Sequence, residues 1–77
     1  MTQNKIFDAC CAYAVRIKES SSLLEAALAD GNLDLTAKIC RDLDLCAGSL
    51  EELVHTLAAE SGVAAESIYN GIAAAID

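Results

Sequence analysis

The side chains able to do chemistry in this 77-residue chain are four cysteines, one histidine and twelve carboxylates, set among the hydroxyls of scattered serines and threonines. Zinc sites draw on close pairs of the Cys-x-x-Cys kind. Here Cys10 and Cys11 are adjacent, and Cys40 and Cys46 lie six positions apart. Neighbouring residues on a helix point about 100° apart, so Cys10 and Cys11 cannot both face one ion or one core. The spacing predicts cysteines acting as small buried apolar side chains in a reducing compartment, with no metal site. His55 has no second histidine to work with, and no serine or cysteine stands where a nucleophile, base and orienting group would converge. Glu51 and Glu52 are neighbours that would diverge on a helix, and no glycine-rich phosphate loop occurs. The expectation is a chain that is not an enzyme, with no catalytic residues, no cofactor and no metal.

Charge says more about partners. Five bases and five acids cancel over residues 1–41, whereas from Asp42 onward seven acids and no Lys or Arg produce the net charge of -7. Such a segment repels phosphate backbones and anionic lipid, which argues against nucleic-acid and membrane partners and for a protein with a basic patch. An acidic face also serves simply to keep a small protein in solution. The residues expected to meet a partner are Asp42, Asp44, Glu51 and Glu52, together with Tyr69 and Asn70. The opening residues MTQNKIFDACC lack the basic and then long apolar segment of a secretory signal, and no stretch is long and apolar enough for a membrane span. A cytoplasmic location is expected.

These residues must be held by helices. The chain has no Pro, only four Gly and a hydrophobic content of 55%, which favours helix over strand and over disorder. Phe7, Cys10, Ala14, Ile17, Ser21, Leu24 and Leu28 recur at alternating steps of three and four, and so do Thr36, Ile39, Leu43, Cys46, Leu50, Leu53 and Leu57. Each set is a heptad seam. The first predicts a helix over about residues 4–29, weakened at Ser20–Ser22, where Ser22 and Glu25 could cap a new start. Asp30, Gly31 and Asn32 predict a turn over 30–33, with Asn32 or Asp34 capping the next helix.

The second seam predicts a helix over about 34–61 that runs through Gly48, since its register does not slip there. A break with Ser49 as a new cap is the competing reading. Gly62 ends this helix, and Ile68, Ile72 and Ile76 form one stripe of a last helix over about 64–76.

Two local strings resemble known families. Residues 53–72, in particular LAAESGVAAESIYNGI, resemble the helix-turn-helix of TetR-type bacterial repressors, with Ala58 before the turn, Gly62 in it, Val63 after it and Ile68–Tyr69 in the second helix. That resemblance implies a DNA-binding regulator. The corresponding recognition helix nevertheless offers Glu66, Ser67, Tyr69 and Asn70 with no base to neutralise phosphate. Ala47-Gly48-Ser49-Leu50 resembles the Asp-Ser-Leu attachment site of acyl carrier proteins, which implies a carrier modified at Ser49. Gly48 stands where that family has its acidic residue.

Length, seams and charge together predict an all-α single domain over residues 1–77: a long antiparallel α-hairpin with a short C-terminal helix. A domain this small shelters little core. Homodimerisation into a four-helix-bundle-like assembly is therefore expected, through Phe7, Cys10, Ile17, Leu24, Leu28, Ile39, Leu43, Leu50, Leu53 and Leu57. The expected function is a non-enzymatic regulator or adaptor, of the inhibitor kind, that occupies a basic site of a protein partner.

Overall fold

The computed structural model describes the backbone of residues 2–77 and the side chains of residues 4–77. All regular structure among the described residues is helical: α1 spans Thr2–Ala29, α2 Leu33–Ser61 and α3 Ala65–Ile76. The molecule is a rod measuring 45 × 21 × 19 Å, as long as one helix of 28 or 29 residues requires at about 1.5 Å per residue.

The turn between α1 and α2 is built as its residue types dictate. Gly31 takes the left-handed conformation at φ 68°, which costs a residue with a Cβ about 1–2 kcal/mol. There the Asn32 amide reaches back to the Ala27 carbonyl and the Gly31 amide to that of Leu28, the paired bonds of a Schellman end. Asn32 then caps α2, its side-chain oxygen accepting from the Leu35 amide at 3.2 Å. Gly62 repeats the left-handed end at φ 72°, its amide donating to the Ala58 carbonyl.

Neither the serines nor Gly48 interrupts a helix. Ser21 turns its hydroxyl onto the Ile17 carbonyl at 2.8 Å, satisfying itself within α1. Gly48 lies in the interior of α2 with nothing within 4 Å of where a Cβ would stand. Ser49 is accordingly a mid-helix residue and not a cap. A lone glycine costs a helix only about 1 kcal/mol, less than a shift of seam register would forfeit.

The two seams face each other within one chain, α1 against α2, and α3 folds back over one end of the pair. The buried core there comprises Cys10, Ala14, Val54, Leu57, Ile68 and Ile72, flanked by Ile6, Phe7, Leu50 and Leu53. Val54, which carries no place in the seam, is fully buried because α3 covers the flank of α2 beside Leu53 and Leu57.

Toward the turn the interior thins to Ala27, Ile39 and Cys46. The buried line of α1 shifts there as well: Ala27 is buried while Leu28 is 56% exposed, and Ser20 is half-buried while Ser21 is exposed. Two helices joined by so short a connection lie close together, and a small residue suits the line of contact. Cys40 departs from the expectation of burial. It is exposed, being turned about 100° from the buried Ile39 beside it, whereas Cys10 and Cys46 are buried and Cys11 is half-buried.

Candidate functional site

Residue types along α2 decide where its carboxylates go. With about 100° per residue, Ile39, Leu43, Cys46, Leu50, Leu53 and Leu57 define the inner side, and Asp44 and Glu51, seven residues apart, share a row on the outer side. Both are exposed, and Glu52 is exposed on the adjoining row. His55 stands one turn beyond Glu51, its Nε2 3.7 Å from the carboxylate. Among the described residues neither Asp44 nor Glu52 is in an ion pair.

Asp42 does not join them. It lies on the flank of α2 that meets α1, where the Arg16 guanidinium donates to its Oδ1 at 3.3 Å. The acidic band expected from sequence is thus a set of three, Asp44, Glu51 and Glu52. The acidic C-terminal stretch is likewise not a separate half of the molecule: the hairpin lays it beside α1, whose Arg16 and Lys18 reach Asp42 and Asp77, the latter at 3.9 Å.

A second feature is an open groove of about 360 Å³ between α1 and α3. Ala14, Ile17 and Lys18 line it from α1, Leu50 from α2, and Tyr69, Ile72, Ala73, Ile76 and Asp77 from α3. Apolar side chains make up its wall, with the Lys18–Asp77 pair at one end. Tyr69 contributes here and remains 39% exposed, while Asn70 is exposed on the outward side of α3. Tyr69, Ile17 and Leu50 were singled out by residue type and spacing. Ala14 was legible only as a seam position, and Lys18, Ala73 and Asp77 carried no signal, since a contact between residues so far apart in sequence exists only once α3 has folded back.

Burial pushes the Cys10 thiol above its ordinary range, with neighbouring Cys11 adding to the shift, which favours its protonated, non-nucleophilic form. No group of three or more His, Cys, Asp or Glu among the described residues is arranged to hold a metal ion. No helix among them is long and apolar enough to cross a membrane. Ser49 is half-buried inside a continuous helix, unlike the exposed serine at a helix start that the carrier resemblance implies. The helix-turn-helix resemblance is carried by a real corner at residues 62–64, yet Val63 is exposed there, and α3 turns Ser67 and Asn70 outward without a cation.

Fold and surface together define an α-hairpin capped over one end by a short third helix, with an acidic outer row. No protein-family model matches the chain, and no curated protein or solved structure matches it.

Proposed function

We propose that this chain is a non-enzymatic protein-binding module, a small regulator or adaptor acting as a homodimer, that presents an acidic helix face to a basic site on another protein. The observation that carries this reading is the exposed carboxylates of α2, Asp44 and Glu51 in one row and Glu52 in the adjoining one, none of which meets a Lys or Arg among the described ion pairs. Exposed charge of one sign steers and orients a complementary partner. All three side chains are exposed, so they are available without unfolding anything. A regulator that inhibits by occupying a basic site needs no more than this.

Binding to an immobilised arginine-rich peptide tests the reading. Capture is expected at low ionic strength and is expected to fall steeply as salt rises. The triple variant Asp44→Asn, Glu51→Gln, Glu52→Gln should lose it, while Asp42→Asn, on the inner flank, should keep it. Equal capture by the wild type and the triple variant would move the contact off this row.

A further inference from the structure

The row of α1 that α3 covers continues beyond the point where α3 stops. Phe7 and Ala14 lie under α3: the Phe7 ring stands 3.8 Å from where a Cβ on Gly71 would be, and Ala14 shares the groove with Ile72 and Ala73. The next two positions of that row, Ser21 and Leu28, have nothing over them, and Leu28 is 56% exposed. On α2 the matching row runs from Leu57 and Leu50, against α3, to Leu43 and Thr36, which are half-buried with no third helix above. Because Asp77 meets Lys18, α3 ends level with Lys18. The uncovered shelf from Lys18 to Ala29 is then twelve residues of α1, and α3 is itself 12 residues long. Each is about 18 Å in length.

The helix that would fit the shelf is present in every copy of the molecule. The outward face of α3 bears Asn70 and Ala74, both exposed, and between Glu66 and Asp77 the helix carries no charge. That is unusual for a solvent face on a chain of net charge -7. We propose that two copies of this chain pair antiparallel about a two-fold axis, so that α3 of each lies along the bare shelf of the other. The proposal deepens the self-association put forward above and uses none of the carboxylates Asp44, Glu51 and Glu52 as a contact.

Size agrees with this occupant. The broad side of the rod, 45 × 21 Å, offers about 900 Å², against about 800 Å² per partner in a stable complex. The shelf alone is about half that, so only a pairing along the full length suffices. A two-fold pairing also brings the C-terminal ends of both α3 helices to the middle of the assembly, where Lys18 of each copy offsets their negative ends. Leu23 and Leu45 are more exposed than Leu28, at 60% and 72%, but lie off the shelf. Leu45 shares its face of α2 with Lys38, Arg41 and Glu52, spaced four or seven residues away, and reads as one of the scattered surface apolar residues common in monomers.

Sedimentation velocity over a concentration series tests the pairing, with far-UV circular dichroism confirming the fold of each variant. The wild type is expected to show a monomer–dimer equilibrium that tightens as salt rises, because screening relieves repulsion between two acidic copies. Capture of the arginine-rich peptide weakens under the same change, which separates the two activities. Leu28→Glu and Ala74→Glu should each weaken the dimer by about a hundredfold, since a two-fold interface contains every substitution twice. Leu45→Glu should leave it unchanged, and adding Ser21→Lys to Ala74→Glu should restore pairing. A dimer that tolerates Leu28→Glu and Ala74→Glu but not Leu45→Glu overturns this pairing while leaving self-association standing. A chain that stays monomeric at every concentration overturns both, and peptide capture would remain to be judged on its own.

Discussion

The end of the rod where α3 packs and the end that carries the α1–α2 turn are made from the same two seams, yet they bury very different amounts. Under α3, Cys10 and Val54 are completely sealed and Leu57, Ile68 and Ile72 nearly so. Toward the turn, Ala27, Ile39 and Cys46 are the buried residues, and Leu28 and Leu35 on the same two helices lie open. A heptad seam is as wide as one neighbouring helix. Two facing seams seal each other only along a line, and a third helix is needed to close the flank. Apolar periodicity therefore reports the number of faces a helix can bury, while burial itself depends on how many neighbours arrive.

The contrast would be broken most directly by truncating one apolar side chain at each end. Ile72→Ala should cost about 2–5 kcal/mol, a large share of the stability available to so small a domain. Urea denaturation should show a smaller loss for Ile39→Ala, near the turn, because the thinner interior can relax around the gap. Equal losses would mean that the two ends form one equally tight core.

Glycines sharpen the picture with effects of opposite sign. Gly31→Ala and Gly62→Ala each force a Cβ into a left-handed residue and should destabilise by about 1–2 kcal/mol. Gly48→Ala, in a helix interior with open space around it, should stabilise by about 1 kcal/mol. Thermal melts of the three variants would check both signs.

Thiol labelling reads local opening at the two ends. Cys40 should react at once, Cys46 more slowly and Cys10 slowest, even though Cys46 and Cys10 are both buried. Cys10 reacting as fast as Cys46 would erase the difference. The raised Cys10 pKa adds a pH effect: the folded state holds the thiol proton more tightly than the unfolded chain, so its contribution is intact below the ordinary value of 9.0 and declines as pH rises above it. Smallest of all, Asp42→Asn should change stability by less than about 1 kcal/mol, because the ion pair with Arg16 is half-exposed and screened.

What could be read in the residues alone was local. Gly31 with Asn32, and Gly62, marked the helix ends because only particular side chains suit left-handed and capping positions. The steps of three and four marked the inner sides of α1 and α2 because a helix returns to the same side every 3.6 residues. The unbroken register through Gly48 marked a continuous helix. None of this needs a neighbour to be known.

Tertiary structure decided the rest. Asp42 was drawn from the acidic row by Arg16, 26 residues away in sequence; Val54 was sealed and Leu28 left open by where a 12-residue α3 ends; and the groove came from Lys18 meeting Asp77. Pairing between distant segments depends on the crossing and length of whole helices, quantities that no single stretch of sequence contains.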